Sequence, residues 1–332
     1  MQTFKFGIKI KLFIVYFFFL TLSSYLLTPT VYAQYLNLSV QPPQIKILMQ
    51  SGRSLIKAFD FENLGDAGVY SLRVVSFLPN DGEGGVTFKD KAEGPVRFAL
   101  ENTNLDFNKL FLVQARQKIQ AVLKIRTIEN APQGDYYYTL FLVSEPTTSQ
   151  NTAGKSRAML GANILISITE TGFTETTAQV SQLSVIPDYQ FTLFGTAFRV
   201  IEWGKEAPVV FRIVNTGNYL AVPLPVLKLK GPFGLSKKKN LLPLNVLASS
   251  ERLMLAESVG ECLKCKISHS AVFKGLNMGR YRLSAEVGFE GMNKKIYADT
   301  EFWVLPLTLL KYVFGAFVLS LFWLWWHRRG RK

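Results

Sequence analysis

The chain has 332 residues, of which 38 are Lys or Arg and 24 are Asp or Glu, so its formal net charge is +14. Eight of the cations lie in the two ends of the chain, which leaves 38 − 8 = 30 cations against 24 acids, or +6, between them. So small an excess does not indicate a nucleic-acid partner. It fits an anionic surface such as cell-wall polymer or lipid headgroups better.

Residues 1–33 have the pattern of a secretory signal peptide. Three lysines within the first 11 residues precede an apolar run over residues 12–27, and small Val31 and Ala33 follow where a signal peptidase reads the chain. We expect cleavage before Gln34, which would place the following residues outside the cytoplasm. An uncleaved anchor helix is the alternative.

The region that follows alternates between apolar and polar residues, as half-buried strands do, and turn residues separate the segments. It is long enough for two domains, predicted at 34–172 and 173–304. The clearest predicted strands are 54–63, 69–77, 117–128, 136–144 and 162–170.

A short motif in the first half returns in the second half. It consists of two apolar residues at alternate positions, then Asn and Gly, where we expect left-handed backbone angles at a turn. The two copies are Phe59, Phe61, Asn63 and Gly65, and then Phe211, Ile213, Asn215 and Gly217.

A second repeated motif is Gly-x-Tyr at the start of a late strand. It occurs at Gly134 to Tyr136 and at Gly279 to Tyr281. Immunoglobulin-like sandwiches place a tyrosine corner there. The sequence therefore predicts an all-β fold of two tandem immunoglobulin-like β-sandwiches, joined near residues 171–178, with a single C-terminal transmembrane α-helix.

Cys262 and Cys265 are the only cysteines, and His269 follows closely. Four ligands are needed for structural zinc, and the other histidine, His327, lies at the far side of the predicted membrane helix. A local disulfide is favoured for an exported protein; free thiols and a metal or redox site are the alternatives. No G-x-S-x-G or H-E-x-x-H motif is present, so no enzyme, catalytic residue or cofactor is expected.

Residues 145–157 are predicted to be a flexible hairpin connection. Two other loops are candidates for binding: residues 78–95 form a Gly-rich charged stretch, and residues 228–240 form a lysine-rich stretch around a Gly-Pro turn. Lys237, Lys238 and Lys239 in the last of these are a candidate contact for anionic wall polymer. A solvated loop is the alternative in each case.

Residues 307–326 predict a membrane-spanning helix, because 20 mostly apolar residues cover the hydrocarbon core. Lys311 is their only charge. Tryptophans flank this segment and cations follow it, so we predict a single pass with residues 327–332 in the cytoplasm and the N-terminal bulk outside. The predicted interface anchors are Trp303, Trp323, Trp325, Trp326, Arg328, Arg329, Arg331 and Lys332.

The order of these motifs resembles bacterial WxL-interacting cell-surface proteins. The segments that carry the resemblance are NAPQGDYYYTLFLVSEP, GANILISI, VVFRIVNTGNY, GRYRLSAEV and FWVLP, followed by the helix and basic tail. The resemblance implies two immunoglobulin-like domains held at the membrane, the first associated with peptidoglycan binding and the second with binding of a host or partner protein.

We therefore expect a non-enzymatic, membrane-anchored surface protein that binds wall polymer, a surface protein, or both. The alternatives are a chaperone-like assembly factor and, less in keeping with so short a tail, a signalling receptor.

Overall fold

The computed structural model describes residues 35–80, 82–102, 104–145, 158–259 and 268–329. The predicted signal peptide, Cys262, Cys265, Arg331 and Lys332 lie outside these residues. The disulfide and the cleavage site therefore stay predictions.

The first half folds into a sandwich of two sheets. One sheet has the order β1-β3-β8-β6, and the other has the order β2-β10-β9-β4, with β5 and β7 pairing with β4. Strands β1 and β2 belong to different sheets, and β2 runs parallel to β10. The strands are β1 Leu38–Gln41, β2 Gln44–Met49, β3 Ser54–Asn63, β4 Gly68–Pro79, β5 Val86–Phe88, β6 Val96–Leu100, β7 Leu110–Val113, β8 Lys118–Thr127, β9 Gly134–Glu145 and β10 Met159–Ile168.

The second half repeats this plan. One sheet has the order β11-β14-β17, with β18 also on β14, and the other has the order β12-β13-β20-β19-β15-β16. Strand β13 runs parallel to β20, as β2 does to β10. The strands are β11 Ala178–Val185, β12 Tyr189–Leu193, β13 Thr196–Glu202, β14 Ala207–Asn215, β15 Pro223–Lys230, β16 Ser236–Asn240, β17 Ser250–Leu253, β18 Ala271–Phe273, β19 Gly279–Phe289 and β20 Met292–Leu305.

Each sandwich has its own apolar core, built from alternate residues of facing sheets. Phe59 and Phe61 are fully buried in the first core, and Phe211 and Ile213 are fully buried at the equivalent places in the second. The predicted fold class of two immunoglobulin-like sandwiches and one C-terminal helix is confirmed.

The Asn-Gly turns are made by side-chain bonds. Asn63 is buried, donates from Nδ2 to the Asp66 carbonyl at 2.7 Å and accepts from the Gly65 amide at 3.1 Å. Asn215 repeats this with the Tyr219 carbonyl and the Gly217 amide. The expected left-handed angles are wrong, because neither glycine has a positive φ. Gly65 is required for space, since a Cβ there would lie 2.1 Å from the Tyr35 carbonyl oxygen.

The two Gly-x-Tyr motifs place each phenol against the chain four residues upstream. The Tyr281 hydroxyl donates to the Asn277 carbonyl at 3.0 Å and accepts from the Asn277 amide at 2.8 Å. The Tyr136 hydroxyl donates to the Pro132 carbonyl at 3.1 Å. This is the geometry of a tyrosine corner.

Helix α1, Leu307–Arg329, follows β20 after the single residue Pro306. Residues Leu307–His327 are long and apolar enough to cross a membrane. Because so short a connection allows little freedom, the second sandwich stands directly above the start of this helix.

Candidate functional site

The Gly-rich stretch at residues 78–95 packs against the second sandwich. The Gly82 carbonyl accepts from the Leu253 amide at 2.6 Å and from the Arg212 guanidinium at 2.9 Å. Glu83 lies 3.8 Å from the same guanidinium. This part of the predicted binding loop is therefore occupied by contacts within the chain.

A carboxylate lies at the centre of the contact between the sandwiches. Asp135 accepts from the Ser167 hydroxyl at 2.6 Å, from the Leu220 amide at 2.6 Å and from the Tyr137 hydroxyl at 3.1 Å. Burial raises the pKa of Asp135, and these hydrogen bonds offset part of that rise. The Tyr137 hydroxyl also accepts from the Ala248 amide at 2.7 Å.

Apolar packing surrounds this carboxylate. Phe77, Tyr137 and Leu165 form a buried cluster against Leu220 and Leu247 of the second sandwich. The Phe77 and Tyr137 rings stack with centroids 5.6 Å apart. Hydrogen-bonded polar groups therefore lie within an apolar contact between the two sandwiches.

A cleft of about 240 Å³ opens beside this contact. Gln44 and Asn163 line it from the first sandwich, and Asn245, Glu251 and Arg252 line it from the second. It is small for a ligand pocket. Among the described residues, no group of three His, Cys, Asp or Glu side chains could hold a metal ion.

The three lysines predicted as a loop contact lie in β16, which pairs with β15. The loop expected over residues 228–240 is therefore wrong: it is two strands and a tight turn. Lys237 donates to the carbonyls of Lys274 and Gly275, and Lys239 lies over the Phe273 ring at 5.8 Å. Lysines on an edge strand disfavour pairing with a strand of another chain. Protection of this edge, together with the contacts within the chain, therefore accounts for the position of these lysines.

Strand β20 has a long edge without a described partner strand. It pairs with β19 along nearly its whole length, whereas β13 pairs with it only at Trp303–Leu305. Within the part of the chain that the structure describes, Met292–Phe302 therefore has an unpaired edge. At about 3.3 Å per residue, these 11 residues give roughly 35 Å of backbone edge without a paired strand, and β11 of the facing sheet lies close to part of it.

One side chain of β13 reaches this edge near its helix end, where Arg199 donates to the Thr300 hydroxyl at 3.1 Å. Asp299 and Glu301 pair with Arg282 and Arg280 of β19, and so point across the sheet face. Ile296 is only half-buried, and Tyr297 is 70% exposed. Strand β20 has lysines only at its start, at Lys294 and Lys295, so the rest of its edge lacks the lysine protection that β16 has.

The β12–β13 hairpin lies on the same side of β20. Phe191 and Phe198 stack with centroids 5.5 Å apart. At the tip, Leu193 is half exposed and Phe194 is 97% exposed. The hairpin pairs with β20 only at Val200–Glu202.

The junction with the helix is fixed by a buried acid. The Glu202 carboxylate accepts from the Thr308 amide at 3.1 Å, in the first turn of α1. An acid is favourable there because it accepts from an orphan amide and faces the positive end of the helix. Lys311 lies over the Tyr189 ring at 4.6 Å.

The predicted interface anchors that the structure describes lie in β20 just before α1 and in the last turns of α1. Trp303 is half-buried in β20, whereas Trp323, Trp325 and Trp326 are exposed along the last turns. Trp323 stacks on His327, and Arg329 lies over Trp325. Arg328 also falls within α1. An exposed aromatic surface at a helix end is typical of a membrane interface.

Sequence reasoning missed the contact between the sandwiches and the open edge of β20. The signal for the contact was Asp135 between Gly134 and a run of tyrosines, an acid inside an apolar strand. The open edge had no signal, because pairing depends on where distant strands end.

Comparison with protein-family models and with curated proteins finds no match. Among solved structures, a chain of a chaperone–tip adhesin complex of CFA/I fimbriae is similar at 12% identity and a TM-score of 0.38, covering 80% of this chain and 98% of that one. The class 5 fimbriae chaperone CfaA is similar at 11% identity and a TM-score of 0.37, and the match covers 81% of this chain and 100% of that one. A chain of the Salmonella enterica SafA pilin–SafB chaperone complex is similar at 9% identity and a TM-score of 0.37, and the match covers 81% of this chain and 99% of that one. Similarity this low carries no functional argument.

Proposed function

We propose that the protein is a membrane-anchored, non-catalytic binding protein whose second sandwich takes up an extended segment of a partner protein as an added β-strand. The open edge of β20 over Met292–Phe302 carries this proposal. An exposed sheet edge offers main-chain donors and acceptors to an incoming strand, and its side chains select the sequence.

The side chains at this edge define the segment it would take. On the inner side of the sheet, half-buried Ile296 and Ala298 call for apolar residues. On the outer side, exposed Tyr297 and the Asp299–Arg282 pair call for polar ones. The partner segment is therefore alternately apolar and polar over about 8 to 10 residues.

The proposed anchor and the predicted signal peptide together support a location at the membrane. In this proposal α1 crosses the cytoplasmic membrane once, and both sandwiches lie outside it. The partner is then a surface or exported protein, in line with the second-domain role that the resemblance to WxL-interacting proteins implies.

Backbone-methylated peptides test strand addition on the full chain in lipid nanodiscs. The probes are alternating decapeptides, N-methylated at every second residue in one of two registers. Only alternate amides of a strand face its neighbour, so one register should abolish binding and the other should leave it intact. Equal binding of both forms would contradict strand addition.

A matched pair of variants locates the binding. Tyr297→Ala, beside the edge, should weaken binding. Leu224→Ala, an exposed apolar side chain of β15 inside the same sheet, should not. Equal loss in both variants would place the peptide elsewhere.

A chaperone-like assembly factor is the second candidate, and β10 favours it. This strand pairs with β2 only over Asn163–Ile168, so Met159–Ala162 has a second open edge among the described residues. A chain that holds incomplete subunits needs such edges. If it is a chaperone, deleting it should cause degradation of its partner; if it is a receptor for a finished protein, the partner should remain stable but lose its attachment.

Binding of wall polymer by Lys237, Lys238 and Lys239 is the weaker proposal, because contacts within the chain already occupy Lys237 and Lys239. Cosedimentation of the triple Lys→Gln variant with cell walls tests it. A weaker, less salt-dependent curve than that of the unmodified chain would revive wall binding.

A further inference from the structure

The end of the second sandwich nearest α1 carries exposed apolar side chains on three separate loops. Trp203 follows β13 and is 52% exposed, Met278 precedes β19 and is 48% exposed, and Phe233 lies between β15 and β16 and is 91% exposed. We call Trp203, Phe233 and Met278 the apolar rim.

Strand register places the rim at one level. Gly279 is opposite Val304, and Lys230 is opposite Arg282, so β19 begins and β15 ends where β20 runs into the helix. The Trp203 amide donates to the Leu305 carbonyl at 3.0 Å. The sheet order β13-β20-β19-β15 therefore puts Trp203 on one side of α1 and Met278 and Phe233 on the other, across about 15 Å.

The loop that carries Phe233 packs closely against β19. Phe233 has a φ of 56°, a left-handed angle that is unusual for a residue with a Cβ. Its turn packs on β19, where a Cβ at Gly279 would lie 2.9 Å from Pro232 and one at Gly231 would lie 2.3 Å from the Tyr281 ring. The fold thus holds a phenyl ring out of the sandwich at the level of the helix start.

We propose that the apolar rim inserts into the interfacial layer of the bilayer that α1 crosses, so that the second sandwich rests on the membrane. This inference rests on the membrane anchoring in the proposed function. The occupant follows from continuity, because only Pro306 separates the sheet from the helix and Glu202 binds the first helical turn. Tryptophan, phenylalanine and methionine bury favourably at that depth.

The interaction of the rim with the bilayer is apolar. Lys205 pairs with Asp188 and Lys274 with Glu206, each at 2.7 Å, so these two cations near the rim have partners inside the chain. Insertion of the rim should therefore persist when salt is raised from about 0.15 M to about 1 M. Release of the rim from the bilayer at high salt would contradict apolar insertion.

Two exposed phenylalanines provide a matched test. Phe233 in the rim and Phe194 at the hairpin tip both have left-handed angles and are 91% and 97% exposed. Phe194 is eight residues before Glu202 along the hairpin, about 26 Å from the helix end of β13. Phe233→Trp and Phe194→Trp therefore place the same fluorescent side chain at two different distances from the proposed membrane surface.

The experiment measures tryptophan fluorescence of the full chain in phosphatidylcholine nanodiscs whose acyl chains carry bromine near the headgroup. After subtraction of the unmodified chain's signal, Trp at position 233 should be quenched roughly twofold or more strongly than Trp at position 194. Equal quenching at both positions would overturn the proposal. If the unmodified chain shows no quenching of its own tryptophans, the helix is not inserted. That result would contradict both the proposed membrane anchor and the proposed insertion of the apolar rim.

Discussion

Replacing Asp135 by alanine tests whether the buried carboxylate holds the two sandwiches together. The substitution removes hydrogen bonds from Ser167, Leu220 and Tyr137. The Ser167 hydroxyl can turn to another acceptor, and the Tyr137 hydroxyl keeps its bond from the Ala248 amide. The Leu220 amide is the donor left without this acceptor.

The magnitude follows from that balance. An unsatisfied buried donor costs about 1–3 kcal/mol, and the partly buried Leu220 amide falls towards the lower end of that range. The variant also no longer buries a carboxyl group whose pKa is raised by burial, which returns part of this cost. We expect the contact to weaken by about 1–2 kcal/mol, which corresponds to roughly 5- to 30-fold faster exchange through local opening.

Hydrogen exchange at single-amide resolution measures this in the full chain. The Leu220 and Ala248 amides should exchange faster in Asp135→Ala, while the Ile213 amide in the second core should be unchanged. Asp106→Ala is the control, because Asp106 pairs only with nearby Lys109 on the surface of the first sandwich. Unchanged or slower exchange at Leu220 would refute the reasoning.

Three further predictions follow from named contacts. Because the native Asp135 holds its proton to a higher pH than the unfolded one, stability relative to Asp135→Asn should fall as pH rises from 3.8 through the raised pKa, as paired denaturant titrations would show. Tyr281→Phe, which removes two hydrogen bonds to the Asn277 backbone, should lower the free energy of unfolding by about 1–3 kcal/mol, and Tyr136→Phe, which removes one, by about half as much, in the same titrations. Lys228 and Lys295 lower the pKa of Glu286 to about 2, so the stability that Glu286 contributes is present above pH 4.5 and is lost as pH falls through 2. The melting temperature of Glu286→Gln should therefore depend less on pH in this acidic range.

The fold was predictable from sequence because local patterns specify it. The alternation around Phe59 and Phe61 identifies strands by period, and the apolar run after Pro306 identifies the helix by length. The Asn-Gly motif was placed correctly at a turn, but its mechanism was wrong. Asn63 works through its side chain, and Gly65 works through close approach to Tyr35, which is distant in sequence.

The candidate site was less predictable because it depends on what distant strands do. Lys237, Lys238 and Lys239 look the same in sequence whether they lie in a loop or an edge strand, and only their pairing with β15 decides. The open edge of β20 exists because the β12–β13 hairpin diverges above Val200. Neither feature has a local pattern, since both are set by tertiary pairing.

The most direct test of partner binding at β20 is hydrogen exchange at its backbone amides in the full chain in nanodiscs, with and without the bound decapeptide. In the free protein, every second amide over Met292–Phe302 should exchange fast, because those amides face the open edge, and the others should be slow through pairing with β19. Bound peptide should slow the exchange of the fast amides and leave the exchange of the slow amides unchanged. Uniformly slow amides in the free protein, or a fast set that bound peptide leaves unchanged, would contradict the account.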